Sequence, residues 1–109
     1  MIDLSQRRCS PCHGGTERVH PDVAEGLARQ IPGWTVGAAE LERTFRFRDY
    51  WQTMAFVNAV AWVAHAQDHH PDLSVHYNRV VVRWSTHAIG GLSDNDVICA
   101  ARVDGLLQD

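Results

Sequence analysis

Residues 50–70, "YWQTMAFVNAVAWVAHAQDHH", contain neither glycine nor proline and close against Pro71. No other stretch restricts the fold so much, because a breaker-free run of this length predicts one long helix. Pro71 ends it, since proline disfavours helical geometry at His70 and has no N–H to donate. Asp49 is the expected N-cap, its carboxylate taking orphan amides while Gln52 reaches back. The apolar residues form more than one line, with Met54, Val57, Ala61 and Ala64 on one and Phe56, Val60 and Val63 on another. Such a helix is expected to be covered on two sides, by a sheet and by a second subunit.

The segments around it alternate. "WTVGAAELERTFRFR" reads as two strands with a turn near Gly37 to Glu40. Leu41, Phe45 and Phe47 are expected to face inward and Thr44, Arg46 and Arg48 to face water. Arg43 breaks this pattern and calls for a register slip or a bulge. "LSVHYN" and "RVVVRWSTH" read as two further strands meeting near Asn78-Arg79, with Val80, Val82 and Trp84 on one side. Upstream, "HPDVAEGLARQI" predicts a short helix with Val23, Leu27 and Ile31 on one face, ended by Pro32-Gly33. Downstream of the Gly90-Gly91 turn, "LSDNDVICAARVDGLLQ" predicts a last helix. Ser93 and Asp96 form its capping box, and Val97, Ala100, Ala101 and Leu107 its apolar face. The order helix, two strands, long helix, two strands, helix argues for an α+β fold, an antiparallel sheet with helices on one face. The connection across the long helix leaves room for one parallel strand pair.

With 45% apolar and 21% charged residues the chain can build a packed core. Residues 1–19 show no periodicity and are read as an irregular arm, and residues 20–109 as a single domain. A net charge of −3 offers no basic stripe, which argues against nucleic acid as a partner. No apolar run reaches the ~18–20 residues of a membrane span. The opening "MIDLSQRRCSPCHGG" lacks the apolar core of a secretory signal, so a cytoplasmic location is expected. Cys9-Ser-Pro-Cys12-His13 spells the text of c-type haem attachment, but that chemistry needs export. The pair is read as two free thiols on the arm.

Five of the seven histidines fall between His65 and His87. His65 and His69, spaced i, i+4, would share a helix face and could hold zinc, yet "HAQDH" carries Ala66 where the metalloprotease motif has glutamate. An acid–base reading fits better. His69 and His70 stand at a helix end and His87 at a strand end, and imidazole alone changes charge near neutrality without perturbation. For His65 and His76 a hydrogen-bonded or solvated surface role is the simpler reading. Trp34, Trp51, Trp62 and Trp84 are read as core or interface.

The ordered set His69-His70-Pro71, Tyr77-Asn78, Thr86-His87, Gly91-Leu92 and Asp96 closely resembles the signature of the pterin-4a-carbinolamine dehydratase, or dimerization cofactor, family. Ile31-Pro32-Gly33-Trp34 and "FRFRDYWQTMAFVNAVAWVA" extend the resemblance over essentially the whole chain. It implies a four-stranded, mainly antiparallel sheet carrying three helices on one face, in a homodimer or homotetramer. It implies loss of water from 4a-hydroxytetrahydrobiopterin to give quinonoid dihydropterin, recycling the cofactor of an aromatic amino-acid hydroxylase. Pterin is then the substrate, and neither metal nor resident cofactor is expected. Carried across by position, His69, His70 and His87 are the catalytic candidates, with Thr86, Asp96, His65 and Asp68 as substrate-binding or orienting groups. The chain departs from the family at His65, usually acidic, and at Leu73, tryptophan in animal members. The rival reading is a non-catalytic assembly or dimerisation module on the same fold, against which the three histidines speak.

Overall fold

The computed structural model describes residues 29–37, 39–86 and 91–107. Strands β1 (Thr35–Val36) and β2 (Leu41–Arg46) lead into helix α1 (Tyr50–Gln67), followed by β3 (Asp72–Val75), β4 (Arg79–Trp84) and helix α2 (Asp94–Gly105). The short helix expected over residues 20–31 lies almost wholly outside the described residues. Two helices rather than three are therefore described, as are neither the expected arm nor Cys9 and Cys12.

The four strands form one sheet in the order β1-β2-β4-β3, and every pair is antiparallel. This corrects the allowance for a parallel pair. The crossover through α1 does send β2 and β3 in the same direction, but β4 lies between them. The Gly37–Glu40 turn closes on a 2.8 Å bond from Gly37 N–H to the Glu40 carbonyl.

The central register explains the core. Leu41 faces Trp84, Arg43 faces Val82 and Phe45 faces Val80, and all but the arginine are buried. No slip or bulge is needed at Arg43, contrary to the sequence expectation. Arg43 keeps its place on the apolar face because its guanidinium finds partners there. Its Nη1 donates to Asp104 at 2.8 Å, and its Cζ lies 4.6 Å from the centroid of the Phe45 ring. Trp34 Nε1 donates to the same Asp104 oxygen at 2.9 Å, tying the Pro32-Gly33-Trp34 segment to the end of α2.

Helix α1 lays Phe56, Val60 and Val63 on the sheet, each burial worth roughly 1.5–3 kcal/mol. Asp49 caps it as expected, accepting Gln52 N–H at 2.9 Å, while Gln52 Oε1 accepts Arg48 N–H at 2.9 Å. That bond to Gln52 holds the partly exposed Asp49 carboxyl below its ordinary value. Thr53 Oγ1, close to both the Asp49 and Tyr77 carbonyls, joins the helix start to the β3–β4 turn. On the outer side Trp51 and Trp62 are 79% and 69% exposed. In α2, Asn95 through Ala101 are all buried, so this helix is enclosed nearly all round. Leu107, expected on its apolar face, lies past its end and is exposed. Among the described residues no helix is long and apolar enough to cross a membrane.

Candidate active site

Three chain segments that are distant in sequence meet where α1 ends, β4 ends and α2 begins. Helix α1 stops at Gln67, three residues short of the proline. Asp68 takes the left-handed conformation, with φ of 51°. Asp68 N–H then bonds the His65 carbonyl at 3.3 Å and His69 N–H the Ala64 carbonyl at 3.1 Å. This is the Schellman pattern, usually built on glycine. It turns the chain so that His69 folds back into the protein while His70 stays exposed.

Beyond β4, Thr86 and Gly91 form an isolated antiparallel bridge, with Thr86 N–H bonded to the Gly91 carbonyl at 2.9 Å. Ser93 then caps α2 and Asp96 reaches back to it, Oδ2 accepting Ser93 N–H at 2.9 Å. The same oxygen accepts Thr86 Oγ1–H at 2.8 Å. Thr86 has a single proton, so the 2.7 Å contact between Thr86 and Ser93 hydroxyls has Ser93 as donor. The other carboxylate oxygen, Oδ1, lies 2.6 Å from His69 Nε2.

Asp96 is fully buried and His69 is 9% exposed. A buried carboxylate is tolerated only when its lone pairs are met, and here three donors meet it. An ionised carboxylate can only accept, so Nε2 of His69 carries a proton, and Nδ1 is the lone-pair nitrogen of the neutral ring. The imidazole also lies parallel to the Trp84 indole, with centroids 5.4 Å apart and planes at 19°. Trp84 is fully buried, and its Nε1–H has no partner among the described residues. Such an orphan donor costs about 1–3 kcal/mol.

Of the residues selected from sequence, the structure brings together His69, Thr86 and Asp96. Asp96 is both the capping partner of Ser93 and the histidine's anchor. His65 is exposed elsewhere, its ring 5.5 Å from Trp62. Asp68 is exposed and acts through its backbone. His87 lies outside the described residues. The helical i, i+4 spacing of His65 and His69 does not operate, because the helix has ended before His69. No group of three histidine, cysteine or acidic residues among those described is placed to hold a metal. Ser93 and Trp84 were not singled out from sequence as site residues. The overlap of a capping box with the Thr-His pair was the signal for the first, and nothing local signals the second.

The family model described as pterin 4 alpha carbinolamine dehydratase matches residues 17–106. A protein of Nitrosomonas eutropha whose name assigns it, provisionally, to the pterin-4-alpha-carbinolamine dehydratases is 56% identical, covering 98% of this chain and 96% of its own. A Brucella melitensis crystal structure, described as transcriptional coactivator/pterin dehydratase, superposes with a TM-score of 0.78 at 28% identity, over 84% of this chain and 100% of that one. A second structure, of a pterin dehydratase-like protein described as a RuBisCO assembly factor in the alpha-carboxysome, superposes with a TM-score of 0.57 at 27% identity, over 67% of this chain and 84% of that one. Matched from residue 17 to residue 106 and sharing the fold, this chain belongs to the pterin 4 alpha carbinolamine dehydratase family.

Proposed function

We propose that the protein is a hydro-lyase that dehydrates 4a-hydroxytetrahydrobiopterin. In that reaction the C4a–O bond breaks, N5 loses its proton, an N5=C4a double bond forms, and water leaves. Hydroxide is a poor leaving group unless protonated, and the N5 lone pair must push as its proton departs, so one acid and one base suffice. His69 and His87 are the proposed acid–base pair, with His70 assisting binding or proton transfer. The base role suits His69, whose Nε2–H is held by Asp96 and whose Nδ1 is the remaining acceptor. Pterin enters as substrate, and the scheme calls on no metal or resident cofactor. A cytoplasmic role beside an aromatic amino-acid hydroxylase is the biological setting proposed.

The single observation that carries this reading is the buried His69–Asp96 contact of 2.6 Å. A scaffold that only docks partners has no use for an imidazole so held. The wide exposure of Trp51 and Trp62 supports assembly through α1 as a homodimer or homotetramer. It is also the feature that favours the second reading, a protein-binding module like the assembly-factor neighbour. The test is ultraviolet absorbance during dehydration of enzymatically generated 4a-hydroxytetrahydropterin. Rapid turnover by the wild type and its loss in His69→Ala are expected. A wild type no faster than buffer refutes the enzyme reading and favours the docking one.

A further inference from the structure

We infer that Trp84 is a positioning residue, selected for its ring face, which fixes the plane of the His69 imidazole and shelters the positive charge that ring gains in turnover. Trp84 stands apart for what it lacks. Its indole N–H is buried without a partner among the described residues, an arrangement proteins rarely keep. The fold can satisfy a buried indole elsewhere, since Trp34 Nε1 bonds Asp104 at 2.9 Å. Trp51 and Trp62 are exposed, so the burden of an orphan N–H falls on Trp84. The neighbouring core positions of β4 hold Val80 and Val82, so an aliphatic residue would suit the strand without it.

What the indole alone adds is its face. The 5.4 Å offset stack at 19° lies across the imidazole plane, while the Asp96 bond lies within it. Between them the two contacts remove both tilt and rotation of the ring, leaving the Nδ1 edge pointed in one direction. Asp96 sets which nitrogen is offered; Trp84 sets the plane in which it is offered. The tryptophan face is also the best aromatic surface for a cation, so it favours the charged ring when that ring has accepted a proton.

The turnover arm of the test rests on the dehydratase reading; the spectroscopic arm does not. Trp84→Phe keeps a face without the N–H, and Trp84→Leu keeps bulk without a face. In Trp84→Leu, kcat should fall about tenfold with KM little changed, while Trp84→Phe should recover most of it. Long-range proton–nitrogen spectra should show wild-type His69 as a single Nε2–H tautomer with ring protons shifted upfield of those of the exposed His76. A merely structural tryptophan predicts the same wild-type shift but equal loss in both variants. A wild-type His69 without the upfield shift overturns the inference whether or not either variant folds. So does a folded Trp84→Leu with unaltered kcat and tautomer. Absence of wild-type turnover would sink the dehydratase reading but leave the spectroscopic result to decide this one.

Discussion

Replacing Asp96 by asparagine tests the site with almost no change of shape. In the wild type Oδ2 accepts both Thr86 Oγ1–H and Ser93 N–H, and Oδ1 faces His69 Nε2. The asparagine carbonyl must take the Oδ2 position, because the amide NH2 there would meet two donors. The NH2 group is then aimed at Nε2, which must become an acceptor, and the ring proton moves to Nδ1. The proposed base is thereby blocked. In the Ser-His-Asp triad the corresponding exchange lowers kcat by about 10⁴, and general acid–base catalysis is worth about 10²–10⁴ in general. A fall of kcat by about 10²–10⁴ with KM nearly constant is therefore expected. Stability should change less. Three charge-assisted bonds weaken to neutral ones, but the cost of burying a charge also disappears, for a net loss of about 1–2 kcal/mol. In a domain of this size that is several degrees in Tm. Stopped-flow absorbance, thermal denaturation and the His69 nitrogen spectrum are the three measurements. A folded Asp96→Asn protein with kcat within about threefold of wild type would refute the reasoning.

Thr86→Val removes one donor from Asp96 and the acceptor for Ser93, and should lower stability by about 1–3 kcal/mol in urea denaturation. Its kcat should fall less than that of Asp96→Asn, because the His69 contact survives. Asp68→Gly relieves a left-handed residue and should stabilise by up to about 1 kcal/mol with turnover retained, whereas Asp68→Val should lose about 1–2 kcal/mol and misdirect His69. Loss of turnover in Asp68→Gly would instead assign a role to the carboxylate. Burial pushes the Asp104 carboxyl above its ordinary value of 3.8, against the pull of Trp34 and Arg43. Its ionised form is thus penalised in the folded state, and its contribution to stability declines as pH rises through the raised value. Denaturation of wild type and Asp104→Asn across roughly pH 3 to 7 should show any advantage of the wild type shrinking with pH. An advantage that grows would reverse the sign of this argument.

The alternating runs made the sheet legible in the sequence. Val80, Val82 and Trp84 occupy the face that their spacing assigned, and the helix cap at Asp49 is where its side chain pointed. The alternating pattern misplaces Arg43 because a one-dimensional pattern cannot see Asp104, sixty-one positions away, which receives its charge. The sequence misplaces the end of α1 for a different reason. Proline announces the latest point at which a helix must stop, but here the turn comes earlier, on an aspartate in a conformation associated with glycine. That early turn is what buries His69 and separates it from His65. The ordered histidine signature pointed to His69, Thr86 and Asp96 together, and the structure joins them. It gave no hint of the Trp84 stack, since contacts between ring faces leave no trace in spacing.

Asp96 starts a helix and steadies an imidazole with the two oxygens of one side chain. Inheritance should treat its two customers unequally. A descendant that abandoned the chemistry would need His69 only as one of three donors to that carboxylate, a place another donor can fill. Losing Asp96 would also strip the final helix of its capping box. Among relatives repurposed for other work, the aspartate should outlive the histidine.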